Sequence, residues 1–142
     1  MQRERVAAAR TWLSSARTDL ELAQEIAVRF PSRSCFHAQQ SSELALKAAL
    51  IALADDHPRT HVGGELVHEL ETLGESVPPD VARAASRLDL YYISSRYPDA
   101  LGGADPLRVL DETDARSAVD QAERVVSYAA DIVTRVASAE PK

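Results

Sequence analysis

The stretch "CFHAQQSSELALKAALIAL", residues 35–53, decides the fold. It is small and apolar nearly all round, the mark of a helix buried in a core, yet Gln39, Gln40, Glu43 and Lys47 interrupt it. Phe36, Gln40, Glu43, Lys47, Leu50 and Ala54 follow steps of three and four and so share one helix face. Glu43 precedes Lys47 by one helical turn, the favourable order for an ion pair along a helix. Two readings stand. The polar residues form a solvated strip with one exposed pair, or they form a polar seam inside a bundle. In the second case the seam meets "ISSRYPD", residues 93–99, where Arg96 or Asp99 completes the network around the buried charges.

The rest of the chain extends the helical reading. Val6, Ala9, Leu13, Ala16, Leu20, Ala23, Ala27 and Phe30 recur at alternating steps of three and four, one continuous stripe that Trp12 and Ile26 widen. Pro31 ends this first helix, and Ser32 or Ser34 supplies a hydroxyl to cap the second, which runs from about Ser34 to Asp55. "DDHPRTH", residues 55–61, breaks it. A short helix follows from about Gly64 to Leu73, its start delayed by Gly63-Gly64. "GESVPPD", residues 74–80, turns into a fourth helix whose apolar face is Val81, Ala84, Ala85, Leu88, Tyr91 and Tyr92. "RYPDALGGADP", residues 96–106, reads as a loop. The last helix spans about Asp111 to Ala137, with Ala115, Ala118, Ala122, Val125, Ala129, Val133 and Val136 on its stripe.

No stretch alternates like a strand, so the expected fold is all-α: a single domain over residues 1–142, an antiparallel up-and-down bundle of four long helices and one short one. Composition agrees, with 45% hydrophobic residues, only 5% aromatic residues and 5 glycines.

Charge and motif content narrow the chemistry. A net charge of −6 supplies no overall basic field to recruit nucleic acid. No apolar run reaches membrane-spanning length and no signal-peptide core appears, so a cytoplasmic protein without a membrane partner is expected. The single Cys35 excludes an internal disulfide and a cysteine-rich zinc site. His57 and His61 flank Pro58 in a loop without a carboxylate cluster of ligand spacing, so no metal site and no cofactor are expected. His37 reads as a satisfied helical histidine. No serine sits in a nucleophile elbow and no glycine run forms a phosphate loop.

The opening stretch, the following "TH", "LYYISSRYPDA" at residues 90–100 and the first helix "ARTWLSSARTDLELAQEI" at residues 9–26 together resemble the HEPN domain (higher eukaryotes and prokaryotes nucleotide-binding). The resemblance covers about residues 8–136. Its most specific pieces are Gln40, Glu43 and Lys47, and Arg96-Tyr97-Pro98-Asp99. It implies a homodimeric bundle, often encoded beside a minimal nucleotidyltransferase in a toxin–antitoxin-like pair. Many members are ribonuclease toxins whose signature is an arginine, a short spacer opening on a polar residue, and a histidine. Here no histidine follows Arg96 anywhere in the chain, so that signature is absent. A second departure is "THVGGELVHEL", residues 60–70, where two glycines make the junction after His61 looser.

The resemblance therefore implies a non-nucleolytic, Arg-Tyr-Pro-Asp type of HEPN protein that binds a nucleotide, a partner nucleotidyltransferase, or both. Arg96 would contact phosphate or an acidic group of the partner. Tyr97 would stack on a base or pack at the interface, Pro98 would fix the loop, and Asp99 would orient Arg96 or receive a ribose hydroxyl. Gln40, Glu43 and Lys47 would line the facing wall. Two alternatives stay open: a ribonuclease with an altered site, and a dimeric scaffold whose seam is only core, with Arg96 and Asp99 paired to cap the fourth helix.

Overall fold

The computed structural model describes residues 2–94 and 109–139. Six helices occur among them: α1 (Gln2–Ile26), α2 (Pro31–Ala54), α3 (Gly63–Thr72), α4 (Pro79–Leu88), α5 (Leu90–Ser94) and α6 (Glu112–Ser138). They form a helical bundle, as the periodicity predicts.

Cross-helix hydrogen bonds and ion pairs give the helix directions. Ser34 Oγ donates to the Ala23 carbonyl and Ser41 Oγ to the Ala16 carbonyl, each at 2.7 Å, so α2 runs against α1. Gln2 Nε2 donates to the Val136 carbonyl at 3.2 Å and Gln24 Nε2 to Glu123 at 2.7 Å, which sets α6 against α1. Arg124 lies 3.6 Å from Asp80 at the start of α4, and Arg87 near its end lines one cavity with Ser117, earlier on α6, which sets α4 against α6. The four directions alternate, as in an up-and-down bundle.

Local chemistry explains the boundaries. Pro31 stands at the first position of α2, where its missing N–H costs nothing. Phe30 precedes it as a cap residue with no side-chain bond, so neither Ser32 nor Ser34 caps this helix. Ser34 instead ties α2 to α1. Asp55 closes α2 in the left-handed region (φ 63°), its N–H donating to the Ile51 carbonyl. Asp111 and Asp114 form a reciprocal capping box at the start of α6, at 2.9 and 3.0 Å. The fourth predicted helix divides at Asp89 into α4 and α5, with the Asp89 N–H bonded to the Ser86 carbonyl at 3.3 Å.

The core has two parts. The larger is built around Leu13, Leu46, Leu50, Leu66, Leu70, Val125 and Ile132, with Ala9, Ala16, Ala45, Ala49 and Ala129 letting helices approach closely. The smaller holds Ala23, Cys35, Ala38, Leu88, Ala118 and Ala122. Burial drives this assembly, at about 25 cal/mol per Å² of apolar surface removed from water. Among the described residues no helix is long and apolar enough to cross a membrane.

Candidate functional site

Of the polar interruptions of α2, Gln39, Glu43 and Lys47 are buried and Gln40 is half-buried. Glu43 is 5% exposed and Lys47 6%, which overturns the solvated-strip reading and leaves the seam. Lys47 Nζ donates to Glu43 Oε2 at 3.0 Å. Gln39 Nε2 donates to Glu43 Oε1 at 3.3 Å, and Gln40 Nε2 donates to Gln39 Oε1 at 2.7 Å. The amides thus form a relay ending on the carboxylate, which satisfies polar groups that would otherwise be costly to bury.

A second element reaches the same carboxylate. His61, in the loop between α2 and α3, donates from Nδ1 to Glu43 at 3.1 and 3.2 Å. Its ring lies flat on Tyr92 of α5, with centroids 4.8 Å apart and planes 13° from parallel. Glu43 is therefore the meeting point of α2, the loop before α3 and, through the stacked rings, α5. The helical spacing of Gln39, Glu43 and Lys47 announces their meeting. Nothing in the spacing announces His61.

Asp89 completes the arrangement. At the break between α4 and α5 its carboxylate accepts from the backbone N–H groups of Gly63 at 2.6 Å and Gly64 at 3.2 Å, the first turn of α3. Burial pushes the Asp89 carboxyl above its ordinary range; the two N–H bonds act against this, and the charges of Glu43 and Glu65 add to it. The glycine pair does not loosen this junction. A Cβ on Gly63 would come within 2.9 Å of the Ala85 carbonyl and 3.1 Å of Asp89 Oδ1, so the bare backbone is what lets α3 abut α4. Asp89 also lines an open cavity of about 500 Å³ with Thr60, Val62, Glu65, His68 and Glu69.

Of the residues singled out in the sequence, Glu43 and Lys47 bond directly, and Gln40 is joined to Glu43 only through Gln39. Arg96, Tyr97, Pro98 and Asp99 lie outside the described residues, as does any contact between the seam and that segment. His37 is held by Asp19 at 2.9 Å across the α1–α2 groove. His57 tilts against Trp12, with centroids 4.7 Å apart. Among the described residues no group of three or more histidine, cysteine, aspartate or glutamate side chains is placed to hold a metal ion.

Comparison with known proteins places the chain. The family model for the HEPN domain matches residues 9–133. The crystal structure of TT1696 from Thermus thermophilus is similar over 87% of this chain and 97% of that one, at 33% identity and a TM-score of 0.81. The crystal structure of ST0689, an archaeal HEPN homologue, is similar over 88% of this chain and 97% of that one, at 27% identity and a TM-score of 0.73. No curated protein matches. With the family match running from α1 into α6, and with the bundle shared by both crystal structures, the chain belongs to the HEPN domain family.

Proposed function

We propose that this is a non-nucleolytic, homodimeric HEPN protein that binds a nucleotide, a partner minimal nucleotidyltransferase, or both, in a two-component module of toxin–antitoxin type. The observation that carries the reading is the buried network centred on Glu43. An ammonium, a carboxamide and an imidazole converge there on one carboxylate, with the Gln40 amide bonded behind Gln39. Arg96, Tyr97 and Asp99 supply the phosphate, base and ribose contacts, with Gln40, Glu43 and Lys47 as the wall behind them.

A tagged pull-down from the native host, with mass spectrometry of the eluate and its mass in solution, tests this. A near-stoichiometric nucleotidyltransferase supports the two-component form, and Arg96→Ala then weakens the complex. A bare dimer directs the test to nucleotide titration. An intact dimer with neither partner nor nucleotide heat sinks the proposal and leaves a scaffold, in which Arg96→Ala lowers thermal stability alone.

One observation favours a second reading. His61 carries an orienting carboxylate, the geometry of a positioned acid–base group, so an altered ribonuclease would have a histidine although none follows Arg96. That reading requires RNA cleavage by the purified protein that disappears in both Arg96→Ala and His61→Gln.

A further inference from the structure

A cleft of about 220 Å³ between α4 and α6 shares no residue with the Glu43 network. Arg83 and Arg87 line it from α4, one helical turn apart on one face, and Ser117, Gln121 and Arg124 line it from α6. The two carboxylates of the wall are both held by Arg124, Asp120 at 3.3 Å and Asp80 at 3.6 Å. Arg83 and Arg87 are exposed and paired with no described residue. Three guanidiniums thus stand against two carboxylates, and the cleft is a local positive site in a chain whose net charge is −6.

Two polar groups of the same wall have capacity left. Ser117 Oγ accepts from Gln121 Nε2 at 3.0 Å, and no described group takes the proton of its own hydroxyl. Gln121 Oε1 is buried, and no described donor reaches it. An unmet buried acceptor is costly, and turning the amide towards a donor held in the cleft relieves that cost. The ligand that fits therefore brings negatively charged oxygens for two guanidiniums and a hydroxyl, and a proton for the glutamine. A carboxylate at neutral pH has no proton to give, and its two oxygens match a single guanidinium fork. A phosphate that keeps one P–O–H meets both requirements, and its tetrahedral oxygens can face two helices at once.

We propose that the α4–α6 cleft binds hydrogen phosphate, with Arg83 and Arg87 as a cationic clamp, the Ser117 hydroxyl as a donor and Gln121 as acceptor of the ligand's proton. The proposal does not rest on the nucleotide reading above, which concerns Arg96 and the Glu43 wall.

Titration of the full chain with sodium phosphate at mildly alkaline pH and constant ionic strength tests it, followed through the arginine and glutamine side-chain N–H signals in two-dimensional NMR. The expected result is a saturating shift. Arg83→Gln/Arg87→Gln weakens the binding about tenfold or more, the size of a lost charge-assisted hydrogen bond, and Arg96→Ala leaves it unchanged. Both clamp arginines are exposed and unpaired, so the double variant folds, as its circular dichroism checks. Sulfate has the same shape and charge but no proton, and binds about two- to tenfold more weakly, the size of one neutral hydrogen bond. Gln121→Met removes that preference. A linear drift that phosphate and chloride produce alike is charge screening and overturns the proposal. Saturable binding that survives the double variant, or that Arg96→Ala abolishes, places phosphate elsewhere and is equally fatal. Equal affinity for sulfate in the wild-type protein overturns the assignment to hydrogen phosphate. If neither anion binds and the double variant changes the protein's mass in solution, the arginine pair serves a protein contact and the phosphate site is refuted.

Discussion

At the scale of single residues, Glu43 and Lys47 depend on each other because neither is solvated. Removing one leaves the other charged and buried, a loss of about 3–5 kcal/mol, whereas replacing both with apolar side chains of similar volume is far milder. Urea unfolding should therefore find Lys47→Met strongly destabilised and Glu43→Leu/Lys47→Met much closer to wild type. If the double variant is as unstable as the worse single one, the seam stabilises the fold by something other than this pair. The shared face of Glu43 and Lys47 is legible in the sequence because a helix has a fixed period, but the face drawn there carries Gln40 and leaves out Gln39, the amide that bonds Glu43. His61 and Asp89 were not legible as partners of that face. Each sits in or beside a break in regular structure, and a contact across a break depends on tertiary geometry that no local spacing encodes.

At the scale of elements, helix existence follows from apolar period, and helix ends follow from details that period does not carry. Ser34 and Asp89 illustrate the difference. Ser34 has the right chemistry for a cap, but Pro31 already starts α2, and the hydroxyl is drawn to a carbonyl of α1. Asp89 looks like one more polar position on a long fourth helix, yet the α3 N-terminus claims its carboxylate and the helix divides there. The neighbouring glycines separate cleanly by experiment. Gly63→Ala forces a Cβ onto the Ala85 backbone and should cost about 1–3 kcal/mol in thermal or urea unfolding. Gly64→Ala meets the movable Ser86 hydroxyl at 3.4 Å and Asp89 Oδ2 at 3.9 Å, ordinary contacts, and should be neutral or stabilising.

The start of α6 carries a pH signature of its own. The Asp114 backbone N–H donating to Asp111 holds that carboxyl below the ordinary carboxylate range. A carboxyl depressed in the folded state binds fewer protons there than when unfolded. Its stabilisation is present above the unfolded value and is lost as pH falls through the folded one. Melting temperatures taken between about pH 5 and 2 should fall less steeply for Asp111→Ala than for wild type. Parallel curves would mean that the box contributes no acid sensitivity.

At the scale of the whole molecule, Cys35 reports on opening. Burial, reinforced by the charge of Asp114, pushes its thiol up to about 12, and no surface of it is exposed. A disulfide reagent at mildly alkaline pH should leave the native protein unlabelled and label it at once in urea, because thiolate forms only when the core separates. Fast labelling of the native protein would show that the smaller core opens locally. The serine bonds between α1 and α2 carry a kinetic consequence. These helices are joined by residues 27–30 alone, and Ser34 and Ser41 clasp backbone carbonyls of α1, so their hairpin closes with little loss of chain entropy. Ser34 reaches back only 11 residues to Ala23, whereas Asp89 reaches back 26 to Gly63. We predict that the folding nucleus forms at the N-terminal hairpin and that the α3–α4 junction docks after the rate-limiting step. In stopped-flow chevrons Ser34→Ala should slow refolding, while Asp89→Ala should leave refolding nearly unchanged and speed unfolding.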